Sequence, residues 1–218
     1  MSIEPGQLLR SALITYDKQR PRSQQKALGP SSIYDCPRRV WHASHDTQIT
    51  NHTEGLSAIL GTAIHTLIAE AIQLEDPFGD DFLIETTVEG LGRKGHCDLF
   101  IKSAGMVIDW KTINKNGLSK FPDQPKVMQV QAYGVLMEEM GYEVKEVCLV
   151  AICRDGAMKD IKSWRAPYDR EVGLTGLKWL ETIENMESPP AGTQRLSFCT
   201  NYCQFYDATG AVGCPGTR

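Results

Sequence analysis

The sequence lacks long apolar runs, internal repeats and low-complexity segments. No stretch approaches the roughly 20 apolar residues that cross a bilayer, and the N-terminus has no charged-then-apolar leader pattern. We therefore expect a cytoplasmic protein that has no membrane partner. Thiols stay reduced in that compartment, so metal ligation explains cysteines there better than disulfide formation does.

A P-loop and a helicase motif are also missing, and so is an overall excess of positive charge. The chain has 218 residues, of which 41% are hydrophobic. That length and composition can bury one sizeable core, and they predict a single domain.

The sequence does contain an acid and a lysine two residues apart, Asp109 and Lys111, at the end of an apolar run. On a β-strand, side chains two apart share one face. With Asp98 on the preceding strand, the pattern offers two carboxylates for a hard divalent cation and an ammonium group to act on a water or a developing charge. Such short motifs also arise by chance on solvated strand edges, so the surrounding elements must support the assignment.

The surrounding pattern predicts two strands at residues 95–102 and 106–111, joined as a β-hairpin. A two-residue turn at Ser103 and Ala104, or a bulge, would place Asp98 opposite Asp109, whereas a regular three-residue turn would send Asp98 to the other face. Further strands are predicted at 82–88, 147–153 and 161–166. Helices are predicted at 61–72 and 127–140, at a short segment from Ser32 to Trp41, and after a cap at Asp169.

This order of parts resembles the RecB-like branch of the PD-(D/E)XK nuclease superfamily. Its pattern is a helix with G-x-x-x-H, strands with G-x-x-D and D-x-K, and a helix with Q-x-x-x-Y. The matching residues here are Gly61 with His65, Gly95 with Asp98, Asp109 with Lys111, and Gln129 with Tyr133. The resemblance implies an α/β fold with a restriction-endonuclease-like core, in which helices flank a mixed central sheet.

The resemblance also implies roles for these residues. Asp98 and Asp109 would hold Mg²⁺ or Mn²⁺ with the Trp110 backbone carbonyl and the His65 ring. Lys111 would position the water or stabilise the transition state, and Gln129 and Tyr133 would position Lys111 or the DNA. Glu85, on the first predicted strand, could join the metal site or be an ordinary edge-strand glutamate.

Four of the seven cysteines lie outside the predicted nuclease core: Cys36, Cys199, Cys203 and Cys214. One early cysteine and a C-terminal triplet resemble the ligands of the [4Fe–4S] cluster in AddB-type and CRISPR-associated Cas-four nucleases. Such a cluster would join an N-terminal segment (28–56) and a C-terminal segment (188–218) of the single domain (1–218) around the nuclease core (57–187).

The gaps of three and ten residues within this triplet are wider than is usual for that family, and four thiolates also suit a structural Zn²⁺. Iron–sulfur and zinc therefore both stay open, with iron–sulfur favoured by the resemblance. The other three cysteines, Cys97, Cys148 and Cys153, lie in apolar strands, where cysteine behaves as a small buried hydrophobe.

The net charge of −4 conceals a segregation of charge along the chain. Residues 1–40 and residues 93–126 each contain seven Lys or Arg against three Asp or Glu. Basic side chains in these segments are candidate contacts to the phosphate backbone, which supplies most nucleic-acid affinity. The candidates are Arg38, Arg39, Arg93, Lys94 and Lys115.

Together these features predict a metal-dependent DNA exonuclease acting on single-stranded or frayed ends. Without a motor of its own, the chain would need unwound strands from a helicase, recombination or CRISPR-adaptation partner, or would work from ends. Two alternatives stay open: a structure-specific endonuclease or processing subunit of such a complex, and a catalytically idle DNA-binding module with structural zinc.

Overall fold

A computed structural model describes residues 4–19, 28–51 and 55–216. Six α-helices, three short 3-10 helices and five strands are found in these ranges. The α-helices are α1 (Pro5–Gln19), α2 (Pro37–Ser44), α3 (Leu56–Gln73), α4 (Gln124–Glu139), α5 (Arg170–Glu184) and α6 (Leu196–Tyr202). The strands are β1 (Phe82–Gly90), β2 (Arg93–Ile101), β3 (Met106–Ile113), β4 (Glu146–Cys153) and β5 (Lys162–Pro167).

The five strands form one sheet in the order β1-β2-β3-β4-β5. Only β3 and β4 are parallel, and α4 lies between them in the sequence as parallel strands require. The other three pairs are antiparallel. The predicted mixed sheet flanked by helices is confirmed.

The two faces of the sheet bury two separate cores. The α4-side core contains Phe100, Val107 and Leu149 together with residues of α4 and α5. Its helix α4 is buried from Met128 through Met137, as expected for a helix packed on several sides. The smaller α3-side core contains Leu99, Ile108, Trp110 and Cys148, against which α3 packs Ile68 and Ile72.

Helix α3 is unusually exposed for an apolar helix. Its 18 residues have a mean hydropathy of 1.3, so by length and composition alone the helix could span a membrane. The sequence analysis expected no such segment. Leu60 and Leu67 are 47% and 64% exposed. The same helix packs Ile68 and Ile72 on the sheet and carries His65, so it is part of the same folded unit as the sheet.

Two predicted elements need correction. The short helix expected from Ser32 begins at Pro37, because Tyr34 takes a left-handed conformation (φ 55°) that interrupts a continuous helix. Cys36 occupies the N-cap position, and proline suits the first helical turn. At the other end, α6 follows the proline pair at 189–190, where no further helix was predicted.

Candidate active site and cysteine cluster

The hairpin of β2 and β3 brings Asp98 opposite Asp109. Leu99 pairs with Ile108 and Ile101 with Met106, so the turn has the predicted two-residue register. Continuing that register places the two aspartates side by side across the strands. Both are almost fully buried, with 3% and 2% of their surface exposed. An Asp98 oxygen also accepts a 2.7 Å hydrogen bond from the Trp110 backbone N–H, which fixes that carboxylate.

Glu85 of β1 lies opposite Asp98 of β2. At this point the alternation of side chains between the two faces of the sheet is interrupted in both strands. Ile84 packs in the α3-side core, whereas Val88, four residues later, packs in the α4-side core. Strict alternation would put residues four apart on the same face. Glu85 itself has φ 45°, a strained conformation for a residue other than glycine. The strained residue is therefore the same glutamate that lies close to Asp98.

His65 reaches these acids from α3. Its Nδ1 lies 3.3 Å from Asp98 Oδ1 and 3.8 Å from Glu85 Oε1. Among the described residues, His65, Glu85 and Asp98 form the group of three potential ligands whose donor atoms all lie within 4.8 Å of one another. Glu85 is thus the site residue for which sequence reasoning left two alternatives, because the pattern of β1 alone could not show its unusual φ.

Lys111, Gln129 and Tyr133 surround the other carboxylate, Asp109. The Lys111 Nζ lies 2.7 Å from Asp109 Oδ2. Gln129, on the buried face of α4, donates to Asp109 Oδ1 over 3.4 Å and also contacts the Tyr133 hydroxyl at 3.4 Å. The structure therefore brings the four sequence motifs together around two aspartates. The Trp110 side chain lies in the α3-side core, and its carbonyl stays a predicted ligand.

The site contains buried polar atoms that lack suitable partners. Three buried side-chain atoms in the described part of the chain have no hydrogen-bond partner of good geometry: His65 Nδ1, Glu85 Oε1 and Asp109 Oδ2. Asp109 Oδ2 is close to Lys111, but the contact is an ion pair without hydrogen-bond geometry. Unpaired buried polar groups are costly, so three in one site indicate a missing partner.

The protonation behaviour of the site agrees with this reading. Burial lowers the pKa of His65, but the nearby carboxylates of Asp98 and Glu85 outweigh burial and raise it to about 9. Burial raises the pKa of Asp109, and the negative charge of Asp98 adds to this rise. The positive charge of Lys111 lowers the same pKa but does not cancel the rise. Several perturbed groups in one place are typical of functional sites.

A second group of chemically active side chains lies where the two chain ends meet. Cys36, Cys199, Cys203 and Cys214 are buried free thiols that line one small cavity with Arg39. Cys199 lies on α6 and Cys203 caps it one turn later. Burial raises the pKa of Cys203, and the nearby thiols of Cys214 and Cys199 raise it further. The positive charge of Arg39 acts to lower the same pKa. The structure thus brings the four predicted cysteines together.

The four thiols reach this cavity from α2, α6 and the C-terminal segment. The other three thiols lie elsewhere: Cys97 and Cys148 are buried in the two cores of the sheet, and Cys153 is buried at the end of β4.

The predicted DNA contacts occupy different environments. Arg38 donates to the Pro190 and Gly216 carbonyls, and Arg39 pairs with Asp35 at 3.0 Å. Arg93 forms a bidentate pair with Glu184, at 2.5 Å for each bond. The remaining two candidates, Lys94 and Lys115, are exposed. Contact with DNA stays a prediction at all five positions.

Comparison with known proteins identifies structures of the same fold. Neither a protein-family model nor a curated protein sequence matches the chain. The crystal structure of SSO0001 matches with a TM-score of 0.61 and 19% identity over 100% of both chains. An alkaline exonuclease, LHK-Exo from Laribacter hongkongensis, matches with a TM-score of 0.50 and 11% identity over 74% of this chain and 88% of that one. Its structure with dAMP matches equally well, with a TM-score of 0.50. The five-stranded mixed sheet flanked by helices is therefore a fold shared with an exonuclease.

Proposed function

We propose that this protein is a divalent-metal-dependent deoxyribonuclease that removes nucleotides from single-stranded or frayed DNA ends. The observation that carries the proposal is the convergence of His65, Glu85, Asp98, Asp109 and Lys111, in which three buried polar atoms lack hydrogen bonds. The shared fold with an alkaline exonuclease supports it. The order of motifs and the four cysteines further support placement in the RecB-like, iron–sulfur branch of PD-(D/E)XK nucleases.

The donor set suits Mg²⁺ or Mn²⁺. Carboxylate oxygens are the ligands that hard cations prefer, and one imidazole is compatible with Mn²⁺. Glu85 and Asp98 offer such oxygens beside the His65 ring, and the Asp109 oxygen lacks a hydrogen bond. A cation held there would supply the missing partner of these atoms and offset the repulsion between the acids.

When bound, such a cation lowers the pKa of a water and neutralises charge on the scissile phosphate. The chain's own residues do the remaining work. Lys111 has an ammonium group beside Asp109 and would donate to the attacking water or to a phosphate oxygen as negative charge develops. Gln129 holds the other Asp109 oxygen, and Tyr133 in turn contacts Gln129, so both act as positioning residues.

DNA is the proposed substrate for two reasons. The alkaline exonuclease that shares the fold has been solved with dAMP, which is a deoxynucleoside monophosphate of the kind that DNA hydrolysis releases. Lys94, near the start of β2, and Lys115, just after β3, are exposed at the ends of the two strands and suit phosphate contacts.

The cysteine cavity is proposed to hold a [4Fe–4S] cluster. All four thiols are buried around one cavity, and two of them, Cys199 and Cys203, pack with Phe205 in a small hydrophobic cluster beside it. The family resemblance favours the cluster over a structural Zn²⁺, which four thiolates also suit. The cluster would hold α2 against the C-terminal segment.

A comparison of linear and circular DNA tests the exonuclease assignment. We expect end-labelled linear single strands to be degraded with Mg²⁺ or Mn²⁺, because hydrolysis begins at ends. Circular single strands of the same sequence should persist through the same time course. Loss of the circle at a comparable rate would instead identify an endonuclease, and no cleavage of either substrate would identify an idle DNA-binding module.

Replacing Glu85 tests the composition of the metal site. Glu85→Gln should weaken Mn²⁺ binding by at least about tenfold, because an anionic donor of the His65 group is lost. Isothermal titration calorimetry of the purified protein measures this affinity. Glu89→Gln is the matched control, since Glu89 is an exposed acid on the same strand. Equal affinities for the two variants would remove Glu85 from the site.

A further inference from the structure

The segment between Cys203 and Cys214 is an ordered turn that contains no helix or named strand. Ten residues separate the two cysteines, and residues 208–212 are exposed to solvent. An exposed stretch of this length would be a poor support for a metal ligand unless something fixes it. The inference below rests on the proposed cluster and deepens it.

A single carboxylate organises this turn. Asp207 Oδ1 accepts from the Thr209 backbone N–H (3.0 Å) and hydroxyl (2.7 Å). Asp207 Oδ2 accepts from the backbone N–H groups of Val212 (3.0 Å) and Gly213 (3.3 Å). Charge-assisted bonds of this kind are stronger than neutral ones. Because the four donors span the turn, the carboxylate closes it on itself.

The same residue is tied to the ligand backbone. The Asp207 backbone N–H donates to the Cys214 carbonyl at 2.8 Å, and the Cys214 N–H donates to the Phe205 carbonyl at 2.7 Å. Tyr206 and Cys214 form a short parallel bridge. The turn closed by Asp207 therefore returns the chain to the point where Cys214 enters the cavity beside Cys203.

We propose that Asp207 is the positioning residue of the cysteine cluster, which holds Cys214 in place as the fourth thiolate ligand across the long gap. The remaining ligands do not depend on it. Cys199 and Cys203 are one turn apart at α6, and Cys36 lies at the start of α2. Without the Asp207 carboxylate, three ligands keep their supports and the fourth loses its own. Because ten residues separate Cys203 from Cys214, the position of Cys214 needs a separate support, which closely spaced cysteines would not need.

The experiment compares Asp207→Ala with wild type, Cys214→Ala and Asp76→Ala, each purified anaerobically as the full chain. Asp76 is a matched control because its carboxylate closes a different turn by accepting from Asp80, Asp81 and Phe82 N–H groups, before β1. We expect about four irons per chain in wild type and Asp76→Ala. Asp207→Ala should retain about three or fewer, as Cys214→Ala should.

A second measurement does not depend on iron. In chelator-treated protein, iodoacetamide should alkylate Cys214 at least about tenfold faster in Asp207→Ala than in wild type, because loss of the turn exposes a buried thiol. Peptide mass spectrometry reads each cysteine separately. Cys148, in the α3-side core, should react equally slowly in both proteins.

The outcomes separate this inference from the proposed function. Iron-free wild type would overturn the cluster, and the alkylation rates alone would then decide the role of Asp207. Wild-type iron content in Asp207→Ala, or unchanged alkylation of Cys214, would overturn the positioning role. Equal iron loss in Asp76→Ala would also overturn it, because the effect would then be general to carboxylate-closed turns.

Discussion

Lys111→Ala is expected to reduce DNA cleavage by about a thousandfold or more while the protein stays folded and still binds Mn²⁺. The ammonium group of Lys111 is the proposed donor to the water or to the phosphate oxygen at which charge develops. Its side chain pairs with Asp109, and its removal leaves the carboxylates of the site in place. A loss of rate without a loss of metal affinity is the signature of an interaction made in the transition state.

Three measurements are needed on the same preparation: initial rates on end-labelled DNA, Mn²⁺ affinity by calorimetry, and circular dichroism. Lys145→Ala is the control, since Lys145 also pairs with a carboxylate, that of Glu143, at 3.1 Å, but is exposed and distant in the fold from the site. It should cleave at the wild-type rate. Undiminished cleavage by Lys111→Ala would remove the catalytic assignment of the D-x-K motif.

The effect of Asp109→Ala should differ in kind. Asp109 is 2% exposed, and its Oδ2, which lacks a hydrogen bond, is one of the proposed ligand atoms, so both cleavage and Mn²⁺ affinity should be lost. Unchanged Mn²⁺ affinity in this variant would place the cation elsewhere, for example on the His65, Glu85 and Asp98 group alone.

Much of the central sheet could be predicted because its residues follow simple periodicities. The register of the hairpin follows from turn length and parity, and the structure has the expected two-residue turn between Lys102 and Gly105. The helix cap at Asp169 was also predicted correctly, since its side chain accepts from the Glu171 and Val172 N–H groups. Local rules were sufficient at these positions.

The errors arose where local rules compete with tertiary contacts. The Ser32 and Asp35 pattern resembles a capping box, yet the Asp35 carboxylate accepts from the Cys36 N–H and pairs with Arg39 instead. Glu85 has a left-handed φ that no period of β1 indicates. Such a strained residue can persist only where its surroundings hold it. Its place in the site therefore became visible only from the packed structure.

The cysteines form the second case, because sequence could divide them by environment but could not give their spacing. Cys97 and Cys148 lie in the two cores of the sheet and Cys153 ends β4, whereas the other four converge from α2, α6 and the C-terminal turn. Iron–sulfur against zinc is decided by sulfur separations of a few ångströms, which depend on how the chain ends pack. The ten-residue gap alone suits either site.

Cys36→Ala is expected to remove most of the bound iron and to lower the free energy of unfolding by about 4 kcal/mol or more. The proposed cluster would join Cys36 to Cys199 in the folded chain, so the loss of this ligand would remove binding free energy that stabilises the folded state. Cys148→Ala is the matched control: it is also buried, at 4% exposed against 7%, but touches no cluster. It should cost about 1 kcal/mol and leave the iron content unchanged.

Denaturant unfolding before and after removal of the metal separates ligation from packing. In the holo proteins, the difference between Cys36→Ala and wild type should be large, because the cluster binds the folded state and not the unfolded chain. After chelation the cross-link is gone from both, and the remaining cost of Cys36→Ala should fall to that of Cys148→Ala. A large cost that survives chelation would make Cys36 a packing residue at the start of α2. Equal losses for the two variants in the holo state would contradict the division of the cysteines into cluster ligands and core residues.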